Sequence, residues 1–396
     1  MDPARQATRI NEIRGQIDPV LLIVSLLLGA IGIVMVGSSS LAIGEIEKVG
    51  SAGYLIKQSI FLAVGFAGAV FATRFELRQI EKYAPLLLIA SFVMLILVWV
   101  PGIGSTVNGA RRWINLGISK FQAVEAVKLF FIIWMASFLK RFSEGVQGEW
   151  FVMFRPLFVA LALVAILMTQ PDFGSSVLLV TICGCMLVLG GGNVPRLILP
   201  AVLLIIAGVA LVLFEPYRMR RVTSFMRPWD DPFGQGYQLV NALMGIGRGE
   251  WLGVGLGGSV QKLNYLPEAN TDFIAAIIGE ELGFIGLTFV ILLYATFVGR
   301  AFWYGVKCVE MRRHFAGYIA FGIGLWFAFQ AFVSMGVNMG VLPTKGLTLP
   351  LISYGGSSVV VSCVAVGVLL RVTYEYDRAK RQVARSREEA PLYAAA

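Results

Sequence analysis

One acidic residue, Asp272, stands where a long polar loop re-enters an apolar segment of the chain. It lies in the stretch Tyr265-Leu-Pro-Glu-Ala-Asn-Thr-Asp-Phe-Ile274, and an apolar run follows. Carboxylates near lipid are costly to keep, so an acid at such a place is a functional-site hypothesis by default. The alternative is an ordinary acid at a helix N-terminus, where the helix dipole favours negative charge. The residues alone leave both interpretations open.

The sequence after Asp272 predicts a tightly packed helix. At 100° per residue, the acid shares one narrow helical face with small residues, namely Ala275, Ala276, Gly279, Gly283 and Gly286. The spacing of Gly279 and Gly283 is typical of close helix contacts in membranes. We therefore expect Asp272 at the outer end of a face that is pressed against neighbouring helices, beside any central cavity.

Glu125 and Lys128 are a second pair of candidates, three residues apart in an apolar segment. That spacing places both on one helix face, where the two charges can neutralise each other. One interpretation is a structural ion pair that braces a cavity wall. The other is that Lys128 contacts a substrate phosphate.

Asp172 is a third candidate, in the tight turn Gln170-Pro-Asp-Phe-Gly174. An Asp two residues before a glycine is typical of turns and helix N-caps. The alternative is that Asp172 touches a substrate or supports the site.

Cations concentrate in two loops that the predicted topology places outside the cell. The loop from Gly102 to Lys120 and the loop from Glu215 to Asn270 carry Arg111, Arg112, Lys120, Arg218, Arg220, Arg221, Arg227, Arg248 and Lys262. Translocated cations indicate an anionic partner such as a phosphate. The alternative is that they reach lipid headgroups or pair with Glu215, Asp230 and Asp231.

The composition is that of an integral membrane protein. Hydrophobic residues make up 57% of the 396 residues, only 14% are charged, and the mean hydropathy is +0.76. The net charge of +9 does not indicate nucleic-acid binding, because the basic residues lie in loops and tails between apolar runs. The four cysteines lack the histidine or cysteine partners of a metal site, so we expect neither a metal nor a disulfide role.

Apolar runs near the length of a bilayer-spanning helix predict an all-α protein with ten transmembrane helices. They cover Asp18–Ser39, Tyr54–Thr73, Tyr83–Pro101, Phe121–Leu139, Phe151–Thr169, Gly174–Gly191, Val194–Phe214, Thr271–Tyr304, His314–Gly340 and Leu351–Tyr374. Arginines and lysines flank both ends, so the tails 1–17 and 377–396 are expected in the cytoplasm and the membrane domain is 18–376. The large loop 215–270, between helices 7 and 8, is then external, and its aromatic and turn residues predict a folded cap.

Several segments resemble the SEDS family (shape, elongation, division and sporulation proteins) over nearly the whole chain. The carriers are Asn108-Gly-Ala-Arg-Arg-Trp-Ile114, Gln170-Pro-Asp-Phe-Gly174, Tyr265-Leu-Pro-Glu268, Thr271-Asp-Phe273, Gly279-Glu-Glu-Leu-Gly283 and Pro350-Leu-Ile-Ser-Tyr-Gly-Gly-Ser-Ser358. Further segments resemble the division branch more than the elongation branch, namely Arg227-Pro-Trp-Asp-Asp-Pro232, Gly255-Leu-Gly-Gly-Ser259 and Pro343-Thr-Lys-Gly-Leu347.

The resemblance implies a peptidoglycan glycosyltransferase that polymerises lipid II at the outer face of the cytoplasmic (inner) membrane, at the division septum. It implies a class B penicillin-binding protein and other divisome membrane proteins as partners, and no nucleic acid. The family's essential aspartate corresponds to Asp272, and its fourth-helix acid and lysine correspond to Glu125 and Lys128. Asp172, Glu268, Lys345 and Ser357, which lie in the segments quoted above, are further candidate substrate-binding residues.

The chain departs from the family pattern near the expected site. The family usually has Gln-Pro-Ser-Glu where this chain has Gln122-Ala-Val-Glu125, and a histidine where this chain has Asn270. It usually has a bulkier residue at the position of Ala275. These changes put details of the site in question, but the acids themselves are present.

Polymerisation requires a sugar hydroxyl to displace a lipid diphosphate from an anomeric carbon. A carboxylate can accept the hydroxyl proton, and Asp272 is the candidate general base. Arginines or a divalent cation such as Mg²⁺ or Mn²⁺ can stabilise the diphosphate, and Arg111, Arg112, Arg218 and Lys128 are the candidate cations by topology. A lipid II flippase and a non-catalytic scaffold for the septal transpeptidase remain alternatives.

Overall fold

A computed structural model describes residues 14–394 of the chain except 41–49, 51, 108, 118 and 344–345. The first half contains α1 (Pro19–Ser39), α2 (Gly53–Thr73), α3 (Leu77–Leu97), β1 (Gly104–Val107), β2 (Ala110–Asn115), β3 (Lys120–Gln122), α4 (Ala123–Arg141), α5 (Ser143–Gly148), α6 (Trp150–Thr169) and α7 (Phe173–Leu189). The second half contains α8 (Val194–Leu213), α9 (Pro216–Met226), a 3₁₀ turn (Pro228–Asp230), α10 (Tyr237–Gly249), a π turn (Gln261–Tyr265), α11 (Ile274–Glu310), α12 (His314–Asn338) and α13 (Gly356–Ala394).

Among the described residues, eight helices are long and apolar enough to cross a membrane, so the chain is a mostly helical, multi-pass membrane protein. They are α1, α2, α3, α6, α8, α11, α12 and α13 up to Arg385. The helix α7 is apolar but has only 17 residues, and α4 carries Glu125 and Lys128 near its start and Lys140 and Arg141 at its end. Every predicted span overlaps one of these ten helices.

The expectation of an all-α protein is wrong in one segment. The chain between α3 and α4 forms a three-stranded antiparallel sheet in the order β1-β2-β3, with Val107 opposite Ala110 and Ile114 opposite Phe121. The sequence indicated this sheet, because the dipeptide Asn108-Gly109 is typical of a two-residue hairpin turn. In the structure, Gly109 has a φ of 76°. The sheet holds Arg111 and Arg112 at fixed positions on β2.

The expected small-residue face of α11 is also only partly right. Gly279 packs closely against α10, because a Cβ on Gly249 would lie 1.9 Å from the Gly279 carbonyl oxygen. Gly283, however, interrupts the helix with a φ of 67° and a ψ of −166°. A Cβ on Gly283 would lie 2.3 Å from the amide nitrogen of Gly253. The glycine therefore admits the backbone of a loop rather than a neighbouring helix, and only a residue without a Cβ adopts this backbone conformation easily.

The segment between α10 and the π turn fills this break. The amides of Val254 and Gly255 donate to the carbonyls of Glu280 and Glu281 at 3.0 and 3.1 Å. The large loop is thus folded, as predicted. It satisfies backbone groups that a break within an apolar helix would otherwise leave without partners.

The core lies where α11 and α12 pack on each other and on α4, and where α13 packs on α2. The helix α8 is different, because none of its residues is buried against the described chain. An apolar helix with no buried residue has the composition of one that faces lipid on all sides.

Hydrogen bonds identify two opposite ends of the bundle. At one end, the amides of Gln16 and Asp18 donate to Asp377 at 2.8 Å and to Thr373 at 3.1 Å, and Arg300 pairs with Asp18. The described start of the chain and the segment at the end of the membrane domain therefore lie together. The other end of α1 contacts the loop that contains Asp272, because Asn270 donates to Ser40 at 3.2 Å.

Candidate functional site

Asp272 lies in a turn that immediately precedes α11, so it is outside the spanning helix. Its side chain is half-buried, and a Cβ on Gly346 would lie 2.3 Å from Oδ2, so the carboxylate rests against the Gly346 backbone. The predicted helix began at Thr271, and the observed helix begins three residues later. Asp272 is therefore not the residue that caps α11, which weakens the interpretation of an ordinary helix-terminal acid.

The surroundings of Asp272 raise its pKa from 3.8 to about 7. The largest cause is burial, which disfavours the charged form, and the negative charge of Glu268 acts in the same direction. The cations Arg221 and Arg112 act in the opposite direction. The structure therefore brings three predicted site residues together and adds Arg221, one of the cations that the sequence placed in the large loop. A carboxyl with a pKa near 7 suits proton transfer at neutral pH.

Glu268 belongs to the same turn as Asp272. Its carboxylate accepts a hydrogen bond from the hydroxyl of Thr271 at 2.8 Å, and its carbonyl accepts one from the amide of Phe273 at 3.1 Å. The residue has a φ of 57°, an uncommon conformation that these contacts hold in place. The two carboxylates at the site are thus parts of one compact turn.

Arg112 connects the sheet to the turn between α6 and α7. Its Nε donates to the carbonyl of Gln170 at 2.8 Å, and a terminal guanidinium nitrogen donates to the carbonyl of Pro171. Asp172 in that turn accepts a hydrogen bond from the amide of Ser175 at 3.1 Å. The predicted helix N-cap at Asp172 is confirmed. Contact of either residue with a substrate stays a prediction.

Arg111 makes other contacts, and the two further predicted cations lie outside the described side chains. Arg111 donates to the carbonyl of Val100 at 3.2 Å and stacks over Trp99, with 5.9 Å from the guanidinium carbon to the ring centre. The backbone of Arg218 lies in α9, but its side chain is outside the described part of the structure. Lys345 lies outside the described residues altogether.

Glu125 and Lys128 form the ion pair that their spacing predicted, at 2.9 Å. The ammonium group also donates to Gln330 at 2.7 Å, and its nitrogen lies 4.9 Å from the centre of the Trp326 ring. The side-chain amide of Gln330 donates to the carbonyl of Thr348 at 2.8 Å. These buried groups join α4 and α12 to the segment before α13. The ion pair itself is therefore confirmed, whereas its place in a cavity wall and contact of Lys128 with a phosphate stay predictions.

Ser357 lies in the first turn of α13, and its hydroxyl accepts a hydrogen bond from the amide of Gln122 at 3.2 Å. This contact fixes the junction of β3 and α4 against α13. The neighbouring Ser358 hydroxyl lies 2.9 Å from that of Thr348, which links Ser357's turn to the Lys128 network.

Glu280 and Glu281 carry two buried charges that sequence reasoning passed over. Glu280 accepts from Arg248 at 2.9 Å, and Glu281 accepts from Lys262 at 2.7 Å. Pairing with acids is thus the right interpretation for these two cations, but the partners are not the loop acids that the sequence suggested. Arg227 does approach a loop acid, since it lies 4.0 Å from Asp230 at the surface.

The chain is similar in sequence to a family of cell cycle proteins. The family model FtsW/RodA/SpoVE, described as a cell cycle protein, matches residues 18–378. A protein of Xanthomonas oryzae pv. oryzae named probable peptidoglycan glycosyltransferase FtsW is 62% identical over 380 residues, which cover 96% of this chain and 77% of that protein. A protein of the same name from Aromatoleum aromaticum is 45% identical over 370 residues, which cover 92% of this chain and 90% of that protein.

Two solved structures are similar in fold. One is from work described as the structural coordination of polymerization and crosslinking by a peptidoglycan synthase complex. It has a TM-score of 0.74 and 28% identity, and the match covers 91% of this chain and 98% of that one. The other is the crystal structure of the Thermus thermophilus rod shape determining protein RodA, with a TM-score of 0.66 and 25% identity over 91% of this chain and 97% of that one.

Proposed function

The chain belongs to the FtsW/RodA/SpoVE family of cell cycle proteins, and from this premise we propose that it is the peptidoglycan glycosyltransferase of cell division. The substrate is lipid II, and the product is a glycan strand of the septal cell wall. The support is a relative of that name that is 62% identical over nearly the whole chain. The single structural observation that carries the proposal is the Asp272 carboxyl, whose pKa is near 7. Its pKa is affected by one acidic side chain, Glu268, and by two basic ones, Arg221 and Arg112.

Asp272 acts as the general base in this proposal. The sugar hydroxyl transfers its proton to the Asp272 carboxylate as its oxygen bonds to the anomeric carbon of the second sugar. The bond from that carbon to the lipid diphosphate breaks, and the diphosphate leaves with the electron pair. A pKa near 7 supports this role, because about half of the enzyme then has the carboxylate free to accept a proton at neutral pH.

Arg112 and Arg221 are the cations best placed for the departing diphosphate, because both act electrostatically on Asp272. Arg111, Arg218 and Lys345 are further candidates. Lys128, Glu125, Asp172 and Ser357 support the surrounding wall in this proposal, and Glu268 holds the pKa of Asp272 up.

In this proposal, a divalent cation would bind only when the substrate is present, because substrate oxygens would supply part of its ligands. Among the described residues, no three His, Cys, Asp or Glu side chains come together to hold a metal ion. Mg²⁺ at phosphate sites is commonly held by one or two carboxylates plus substrate oxygens.

The proposed topology has ten spans, including α4 and α7, with both tails in the cytoplasm and the large loop 215–270 outside. The pairing of Gln16 with Asp377 supports an even number of crossings. The proposal predicts that a cysteine at Asp231 reacts with an impermeant thiol reagent in intact spheroplasts. Labelling only after lysis would reverse the orientation and exclude chemistry at the outer face.

A class B penicillin-binding protein is the proposed partner, working with other divisome membrane proteins. The support is the similarity to a chain from a structure described as a peptidoglycan synthase complex. In this arrangement, the partner crosslinks the strands that the chain polymerises.

Incubation of the purified protein with lipid II tests the proposed function. We expect glycan chains from the wild type and none from Asp272→Asn. Transfer of lipid II across vesicle membranes without polymer would favour a flippase. Neither polymer nor transfer, with or without a class B penicillin-binding protein, would favour a scaffold.

A further inference from the structure

Three consecutive backbone carbonyls in the Asp272 turn are each held by a different donor. The carbonyl of Asn270 accepts from the amide of Tyr354 at 2.8 Å, and that of Thr271 accepts from the hydroxyl of Ser353 at 2.6 Å. The carbonyl of Asp272 accepts from the side-chain amide of Asn338 at 2.8 Å. The donors come from α12 and from the segment before α13, so the turn is fixed by elements far from it in sequence.

The side-chain amide of Asn338 makes three hydrogen bonds at this place. Its Nδ2 donates to the carbonyls of Asp272 and Ser334, and its Oδ1 accepts from the amide of Ala276 at 3.0 Å. The amide of Ala276, in the first turn of α11, also donates to the carbonyl of Phe273 at 3.0 Å, so it is shared between the backbone and Asn338. Asn338 is fully buried, so one side chain holds both the residue before α11 and the first turn of that helix.

Asn241 shows what an ordinary buried asparagine of this protein does. It donates to the carbonyl of Tyr237, four residues earlier in the same helix, at 2.8 Å. Asn338 makes the same local contact with Ser334, but its other two contacts reach the carbonyl of Asp272 and the amide of Ala276 at the start of α11. The difference between the two residues is therefore the link to Asp272.

Ser353, in the segment before α13, also holds the Asp272 turn. Its hydroxyl donates to Thr271 and accepts from the amide of Leu349 at 2.7 Å, so its proton and one lone pair are both engaged. The hydroxyl is almost completely buried. It joins the Asp272 turn to the segment that carries Gly346, whose backbone lies against the Asp272 carboxylate.

We propose that Asn338 and Ser353 are positioning residues for Asp272: they hold the turn so that its carboxylate stays fixed against Gly346 and within reach of the reacting hydroxyl. This inference rests on the proposed function. It assigns neither residue a contact with substrate. A misplacement of about 1 Å in a reacting group can cost about 10²-fold in rate, so loss of a holding contact should affect the chemical step.

The first test compares Asn338→Leu with Asn241→Leu in purified protein turning over lipid II. We expect Asn338→Leu to lower kcat by about 10- to 100-fold with KM within about twofold of the wild type. We expect Asn241→Leu, which loses a local contact only, to keep kcat within about threefold. Equal losses of kcat in the two variants, or a wild-type kcat in Asn338→Leu, would overturn the inference.

A second variant, Asn338→Asp, tests the role of Asn338 if Asn338→Leu does not fold. Asn338→Asp keeps an acceptor for the amide of Ala276 but removes the donor to Asp272 and adds a carboxyl beside it. Glu268, Arg221 and Arg112 are the charged groups that already act on Asp272. A further negative charge raises its pKa, so the rise of kcat with pH should move to higher pH. An unchanged pH profile with an unchanged kcat would contradict the proposal.

Ser353→Ala and Ser353→Thr separate the hydroxyl from general packing. We expect Ser353→Ala to lower kcat and Ser353→Thr, which keeps the hydroxyl, to restore most of it. Equal kcat values in Ser353→Ala and the wild type would contradict the role of Ser353. A wild-type protein that makes no glycan would instead refute the proposed function, so the two failures are distinguishable.

Discussion

Asp272→Asn should abolish glycan synthesis and, above neutral pH, stabilise the protein. The substitution keeps the shape of the side chain but removes proton acceptance. General acid–base groups typically contribute about 10²- to 10⁴-fold, so polymerisation should become nearly undetectable. The wild type itself should lose activity on acidification. With a pKa of about 7, the deprotonated fraction falls from about nine tenths at pH 8 to about one tenth at pH 6.

The stability effect follows from the same pKa. Between about pH 4 and pH 7 the folded protein holds a proton on Asp272 that the unfolded chain has released, so folding stability declines as pH rises through this range. The difference between 3.8 and about 7 corresponds to at most about 4 kcal/mol at about 1.36 kcal/mol per pH unit. Because the carboxyl is only half-buried, we expect roughly 1–2 kcal/mol.

Two assays separate the consequences. The rate of glycan formation measured from pH 5.5 to 8.5 should rise about tenfold between pH 6 and 8 in the wild type. Thermal unfolding in detergent should give Asp272→Asn a higher midpoint than the wild type at pH 8, and the difference should shrink towards pH 5. An Asp272→Asn protein that makes glycan at the wild-type rate, or that is less stable at pH 8, would refute the reasoning.

Two ion pairs give further predictions. Lys128→Met should leave Glu125 buried without its partner, and breaking a buried pair costs about 3–5 kcal/mol. The double variant Glu125→Gln/Lys128→Met should regain part of the free energy of unfolding. Wholly additive losses in the two single variants and the double variant would exclude coupling between the two residues. Lys262→Met should destabilise the protein by a similar amount because Glu281 is fully buried. Lys307→Met, which breaks an exposed pair, should change the free energy of unfolding far less. Equal effects of these two lysine variants on thermal unfolding would contradict the reasoning.

The helices were predictable because their signals are local and strong. Long apolar runs interrupted by charged and proline-containing turns give a helical membrane protein, and each predicted run overlaps an observed helix. The spacing of Glu125 and Lys128 was enough to predict their pair, since residues three apart on a helix are neighbours wherever the helix lies. The small sheet was not predicted, although the dipeptide Asn108-Gly109 is typical of a hairpin, because its strands of four, six and three residues are too short to give a clear pattern.

The errors lie where tertiary contacts override a local pattern. Gly279 and Gly283 have the spacing of a helix-packing motif, yet only Gly279 serves one. Gly283 breaks the helix because the loop after α10 enters there and supplies hydrogen bonds across the gap. The residue pattern of α11 does not indicate that a loop from about 30 residues earlier in the chain contacts this helix.

Only part of the proposed site could be identified from the sequence. Asp272 could be selected because an acid beside an apolar run is costly and must have a reason. Asn338 is also polar within an apolar helix, which is a signal of the same kind, but its partner is 66 residues away and a local hydrogen bond would have satisfied the same expectation. An acid becomes a general base only when its turn is held rigidly and its pKa is brought near neutrality. In the mechanism that we propose, the first condition depends on Asn338 and Ser353, and the second on burial and Glu268. Sequence reasoning therefore finds the group that performs the chemistry more readily than the groups that make the chemistry possible.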